Sequence, residues 1–164
     1  MPMLIRAESS ADFAAIRVVQ EAAFPSPLEA DLVDQLRADG DCVIALVSIE
    51  GDAVVGHVMF SLMQAPFRAL GLGPVAVLPD WQRQGVGTRL IEAGLARARS
   101  AGWGAVIVLG EPGYYHRFGF SAARAEGFTS TYAGPYLMAL ALNGDDLRVS
   151  TGRLDYAPAF ATLG

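Results

Sequence analysis

Apolar residues recur along this chain with two periods, and the switches between them outline its elements. Met3-Leu-Ile-Arg-Ala7 reads as a short first strand, after which Ser10 or Asp12 is placed to cap a helix running through Ala23. Phe24-Pro-Ser-Pro27 breaks that helix. Ser26 and Glu29 then form a capping-box signal for a second one, Leu28 to Arg37, with Leu28, Leu32, Val33 and Leu36 as its apolar stripe. Asp39-Gly40 ends it.

Strand-like runs follow. Cys42 to Ile49 and Ala53 to Leu62 flank Glu50-Gly-Asp52, the turn chemistry of a tight antiparallel hairpin, and a third run, Ala69 to Leu78, is expected beside them. From Gly85 to Ala101 the period returns to that of a helix, with Leu90, Ile91, Gly94, Leu95 and Ala98 toward the sheet and Arg89, Glu92, Arg97 and Arg99 toward solvent. Gly102 supplies its stop. Ala105-Val-Ile-Val-Leu109 is apolar throughout, as in a strand buried on both faces, and is expected to form a βαβ unit with Pro74 to Leu78. A short helix should start at Glu111-Pro-Gly113 and end near Phe118, before a strand at Phe120. Tyr136 to Leu142 should be the last sheet strand, Thr129 to Pro135 a loop, and the segment after Asn143 a tail of unassigned packing.

Composition narrows the class. The chain has 164 residues, 52% of them hydrophobic, which suits one domain spanning 1–164 with a full core. A net charge of −5 argues against a broad nucleic-acid footprint, though a local group of arginines can still hold one phosphorylated ligand. Cys42 is the sole cysteine and His57 and His116 the two histidines, so neither a disulfide framework nor a metal site is expected. No apolar run has the length of a membrane span, and Arg6 and Glu8 interrupt any signal-peptide core, so a cytoplasmic protein without a membrane partner is the default expectation.

The chemistry concentrates at Leu78-Pro-Asp-Trp-Gln-Arg-Gln-Gly-Val-Gly-Thr-Arg-Leu90, which joins the Gly73-Pro-Val-Ala-Val77 strand to the long helix. At a helix start the first N–H groups lack partners and the macrodipole is positive, so Gly85 and Gly87 would let a pyrophosphate approach bare backbone, with Arg83 as a charged fork beside it. An ordinary strand-to-helix turn has the same glycines. A P-loop is excluded because GxxxxGK followed by Ser or Thr is missing, and a dinucleotide-binding fingerprint because Leu90 stands where its third glycine belongs. Gly71-Leu-Gly73 is followed by a continuing strand rather than a helix, so its match to that fingerprint is accidental.

Together, Val75-Ala-Val77, Gln82-Arg-Gln-Gly-Val-Gly87, the following helix and Tyr114-Tyr-His-Arg-Phe-Gly-Phe120 resemble the GNAT superfamily, the Gcn5-related N-acetyltransferases, and in particular its small bacterial members. Gln82 stands at a position where that family has Arg or Gln. The resemblance implies a mixed α/β fold: a central, mostly antiparallel sheet of about six or seven strands with a splayed parallel pair, flanked by about four helices. It implies acetyl-CoA as cosubstrate and no metal. Main-chain groups of Val75 and Val77 would pair with the pantetheine arm, and Gln82, Arg83, Gln84, Gly85, Val86, Gly87 and Thr88 would form the pyrophosphate loop. The implied partner is a small-molecule or peptide amine, and a homodimer is compatible with it.

Such a site needs no protein nucleophile, because the cosubstrate's distant nucleotide end can position the thioester next to an amine. It needs a hydrogen-bond donor at the acyl carbonyl and an acid near sulfur. Tyr115, at the position of the family's Tyr-x-x-x-Gly-Phe, is the expected acid, with Tyr114 as its competing neighbour. For the base, Glu111 just beyond the central strand is the leading candidate, beside Glu29, His57 and a water chain. Cys42 in an apolar strand reads as a core residue. Phe24, Phe60, Phe67 and Phe128 are divided between acceptor pocket and core, and Trp81 between covering the cofactor and shielding the helix start.

Overall fold

A computed structural model describes residues 3–144 and 146–163. Six strands form the central sheet in the order β1-β2-β3-β4-β5-β7: β1 Leu4–Ala7, β2 Cys42–Glu50, β3 Ala53–Leu62, β4 Ala69–Val77, β5 Ala105–Leu109 and β7 Leu137–Ala141. Every neighbouring pair is antiparallel except β4 and β5. The expected mixed sheet with a single parallel pair is therefore present.

Helix α3, Val86–Ser100, lies on one face and buries Leu90, Ile91, Gly94, Leu95 and Ala98, the residues its periodicity assigns to the sheet. They pack on Leu46, Val58, Phe60, Leu70, Leu72, Val106 and Val108. The opposite face carries α1, Phe13–Ala23, and α2, Leu28–Ala38, whose Ile16, Leu32, Val33 and Leu36 meet Val47 and Met59. Strand β5 is covered on both sides, with Val106 and Val108 under α3 and Ala105 and Ile107 in a second apolar cluster with Met63, Phe128 and Leu154.

Several local expectations need correction. Helix α1 is preceded by a 3-10 turn over Ser10–Asp12, and Asp12 reaches back to accept from the Ser9 N–H at 2.8 Å while gripping the Arg6 fork at 2.7 and 2.9 Å. Ser26 Oγ accepts from the Leu28 N–H at 3.3 Å and meets Glu29 at 3.5 Å, but the cap position of α2 is Pro27. Leu28, in the first turn of α2, remains 42% exposed and drops out of the buried stripe. The strand expected at Phe120 is reduced to a single antiparallel bridge, Ser121 with Ala139 of β7. Phe120 is buried under α3's cluster, and the chain turns at once into the short α5, Ala122–Ala125, capped by Ser121. The loop after α5 contains β6, Phe128–Thr129, paired with β8, Gly152–Arg153, so the segment after Asn143 is built into the fold.

Candidate active site

The parallel pairing of β4 with β5 runs over Ala69–Leu72 against Ala105–Val108, and not over Pro74 to Leu78 as periodicity suggests. The cause lies in β4. Leu70 and Leu72 face α3, and so do Val75 and Val77, a change of parity that requires one extra residue between them. A bulge at Gly73–Pro74 supplies it: two steps along β3, Val58 to Phe60, oppose three along β4, Val75 to Leu72. Gly73 has a φ of +138° there. Beyond the bulge β4 bends away from β5. The Leu78 N–H donates to the Val55 carbonyl at 2.9 Å, and antiparallel alternation then turns the N–H and C=O of Val75 and Val77 away from β3, onto the edge β5 has left. The Val77 carbonyl accepts from Gln82 Nε2 at 2.9 Å.

This edge leads into the loop before α3. Arg83 has a φ of +64° and Gly85 one of +84°. The bond from the Arg89 N–H to the Gly85 carbonyl, 3.0 Å, is the helix's first, so the N–H groups from Gly85 to Thr88 have no intrahelical partner. Val86 is buried and anchors the turn. A groove of about 340 Å³ runs along it, lined by Val77, Trp81, Gln82, Arg83, Gly85, Val86, Gly87, Thr88, Tyr114 and Arg117. Trp81 both lines the groove and packs on the α3 cluster. Gln84 instead bonds the Asp80 carbonyl at 3.0 Å and braces the loop. Arg117 is missed by the sequence reading. Its guanidinium stacks over the Tyr114 ring at 4.3 Å and donates to the Tyr114 carbonyl at 2.9 Å, which sets a second cation beside the groove.

The two tyrosines separate into different surroundings. They belong to α4, Pro112–Tyr115, whose cap residue Glu111 accepts through its carbonyl from both Tyr114 and Tyr115 N–H groups at 3.1 Å. The Tyr114 hydroxyl bonds Thr88 Oγ1 at 2.9 Å and belongs to the groove. The Tyr115 ring packs edge-on to Phe120 and lies on Gly110, where a Cβ would come within 2.5 Å of it. Burial, then the neighbouring Tyr114, pushes the Tyr115 hydroxyl up to about 12. Glu111 is exposed at the C-terminal end of β5.

A second cavity, of about 280 Å³, opens on the α1–α2 side of the same split. Leu72, Gly73 and Pro74 of β4 and Leu109 of β5 form its floor, Phe24, Tyr132, Tyr156 and Phe160 its aromatic walls, and Glu29 is its one charged lining residue. Of the four phenylalanines weighed from sequence, Phe24 alone reaches this cavity. Phe60 is fully buried under α3, and Phe67 and Phe128 pack edge to face at 5.7 Å in the cluster beneath β5.

His57 is fully buried, with Nε2 2.8 Å from Glu8 and Nδ1 2.9 Å from Gln20. Burial works to raise the Glu8 carboxyl, but hydrogen bonds from His57 and then Arg37 outweigh it and hold it at about 2. The imidazole itself is pushed down by burial, so it stays neutral, donates to Glu8 and accepts from Gln20. Both ring nitrogens are thus committed, one joining β3 to α1 through Gln20 and the other joining it to the segment after β1 through Glu8. Burial also pushes the Cys42 thiol up to about 11, which leaves it an inert thiol. Among the described residues no His, Cys, Asp and Glu cluster fits a metal ion, and no helix is long and apolar enough to cross a membrane.

A split parallel pair opening onto an unpartnered helix start defines a class. The chain belongs to the acetyltransferase (GNAT) family, whose model matches residues 11–120. It is 34% identical to the uncharacterized N-acetyltransferase YhbS of Escherichia coli K12, over 96% of this chain and 98% of that one. A crystal structure of Escherichia coli YhbS in complex with CoA superposes with a TM-score of 0.92 at 32% identity, covering 99% of this chain and 93% of that one. A GNAT family acetyltransferase from Brucella melitensis in complex with acetyl-CoA is 39% identical, with a TM-score of 0.83 and coverage of 97% and 98%.

Proposed function

We propose that this protein, acting as a single domain, transfers an acetyl group from acetyl-CoA to a primary amine by direct attack. The observation that carries the reading is the continuity of the β4 edge at Val75 and Val77, left by β5 and with the Val77 carbonyl engaged by Gln82, with the bare N–H turn from Gly85 to Thr88. An extended arm bearing amides fits the first as an added strand does, and a pyrophosphate fits the second. Arg83 and Arg117 both line that groove and add charge to it. Structures of similar proteins with CoA and acetyl-CoA support the same occupant.

Acetyl-CoA, when bound, supplies an activated acyl carbon and a thiolate leaving group. The chain's own residues position and move protons. Tyr115 donates a hydrogen bond toward the departing sulfur. With its hydroxyl at about 12, against about 8.5 for an ordinary thiol, outright proton loss to a thiolate would be uphill by more than three pKa units, roughly 4–5 kcal/mol. Tyr115 therefore stabilises the developing thiolate as a donor, and the net proton of the released thiol comes from the acceptor nitrogen. The incoming ammonium must first lose another proton. Glu29 takes that proton in this reading, which its position in the lining of the second cavity supports. Glu111, exposed at the end of β5, offers the alternative route to solvent.

Isothermal titration of the purified protein with acetyl-CoA tests the cradle, and release of free thiol with a panel of amines tests the chemistry. Saturable one-site binding followed by amine-dependent release is expected. Absence of binding by a folded sample would overturn the reading, and binding without release would identify a noncatalytic acyl-CoA sensing module.

A further inference from the structure

The cavity beside the split is apolar but for one carboxylate, and Tyr156, one of its lining residues, buries a hydroxyl that has no hydrogen-bond partner among the described residues. Building on the acetyltransferase reading, we infer that the acceptor is a monoamine carried on a compact apolar body, and that Tyr156, delivered by the C-terminal segment, holds its nitrogen at the mouth of the opening between β4 and β5. The first support is the lining. Apart from Glu29 the walls are leucine, proline and aromatic side chains, so one cation finds a partner and a second would be desolvated without one. At about 280 Å³ the cavity falls just under the range of about 300–1,000 Å³ for drug-sized ligands, which favours a small body over a peptide.

The second support is Tyr156 itself. Its ring lies so close to the β4 backbone at Gly71 that a Cβ there would stand 2.8 Å from Cε1 and 2.9 Å from Cδ1. Tyr132 packs edge-on at 5.6 Å and Phe160 tilts against it at 4.8 Å, so the ring is held from several directions. Its hydroxyl is nevertheless buried with no hydrogen-bond partner among the described residues. Burial, then Tyr132 and Tyr115, pushes that hydroxyl up, which keeps it protonated and places it within electrostatic reach of the expected donor on the other face of the sheet. A buried hydroxyl left unpaired carries its full desolvation penalty. An acceptor N–H supplies the missing partner, and Glu29 takes the remaining charge of the ammonium.

The test compares 2-phenylethylamine and isoamylamine with spermidine and a lysine-containing peptide at saturating acetyl-CoA, reading free thiol, for the wild type and Tyr156→Phe. The phenylalanine keeps the ring packing, so a purely structural tyrosine predicts no change in KM. Expected are a kcat/KM at least tenfold higher for the apolar monoamines, and a rise of about tenfold in their KM in Tyr156→Phe with acetyl-CoA affinity unchanged. Preference for spermidine or the peptide, or an unaltered KM in the variant, would overturn this inference alone, whereas no transfer to any amine despite intact acetyl-CoA binding would overturn the transfer reading and this inference with it. Loss of acetyl-CoA binding in the wild type would overturn the acetyltransferase reading and this inference with it.

Discussion

Gly94 sits at the middle of α3 and lets that helix settle onto the sheet. Alanine elsewhere in a helix interior is worth about 1 kcal/mol over glycine, so Gly94→Ala would ordinarily stabilise. Here the added Cβ would stand 2.5 Å from Cζ of Phe60 and nearer still to Cε1. Carbon atoms rest at about 3.5–4.0 Å, so helix and ring must part by about 1 Å or more. Phe60 cannot swing aside, because it is fully buried between β3 and the helix. Overpacking costs about 1–3 kcal/mol, and so close an approach to a fully buried ring belongs in the upper part of that range, about 2–3 kcal/mol, so with the propensity gain subtracted the expected net loss is about 1–2 kcal/mol. For a chain of this length that corresponds to a Tm lower by roughly 2–8 °C, measured by thermal unfolding monitored by circular dichroism. The same displacement lifts the first turn of α3, so weaker acetyl-CoA binding should accompany the lower Tm. A variant as stable as the wild type or more so would refute the packing argument.

Tyr115→Phe should lower turnover by about 10²-fold while leaving acetyl-CoA affinity within about twofold, because the ring and its contact with Gly110 persist; equal turnover in a steady-state assay would remove the hydroxyl from the chemistry. Arg117→Ala should weaken acetyl-CoA binding by about tenfold with a shallower salt dependence, and an unchanged affinity by titration calorimetry would detach this residue from the groove. Acid should destabilise the fold in two overlapping steps. His57 is lowered from 6.5, so its share of stability is present above that value and fades as protonation is forced below it. Glu8 is lowered from 4.5 to about 2, so its share is lost as pH falls through that interval. Glu8→Gln should therefore flatten the Tm profile between pH 4.5 and 2, and an acid limb as steep as the wild type's would show that another carboxylate governs it.

The elements legible in the sequence are those fixed by local chemistry. The α3 stripe, the turn at Glu50-Gly-Asp52 and the glycines before Val86 depend on residues within a few positions of one another, and they stand where periodicity sets them. The bulge at Gly73–Pro74 is less legible. Alternation on either side of it is sound, and the phase slip shows only when Leu72 and Val75 are both seen to face α3. Tyr114 and Tyr115 are adjacent in sequence, and the backbone of a four-residue helix sends one to Thr88 and the other to Gly110. The walls of the second cavity are the hardest to foresee. Phe24, Glu29, Tyr132 and Tyr156 are scattered over more than a hundred positions, and no periodic pattern connects them. Candidate bases suffer similarly: His57 resembles a catalytic residue until Glu8 and Gln20 are found on its two nitrogens.

The bulge in β4 also has a mechanical meaning. Strands β1 to β4 are joined to β5 and β7 by the pairing of Ala69–Leu72 with Ala105–Val108, and beyond Leu72 the sheet is two leaves hinged along one side. A ligand laid along Val75 and Val77 becomes a seam between the leaves, so occupancy should bind them into one cooperative unit. At a hundredfold excess over Kd such a ligand adds about 2.7 kcal/mol to the folded state. Hydrogen exchange should report the seam directly, through slower exchange of the Val75 and Val77 amides and of Leu109, the β5 residue beyond the pairing, once the site is filled.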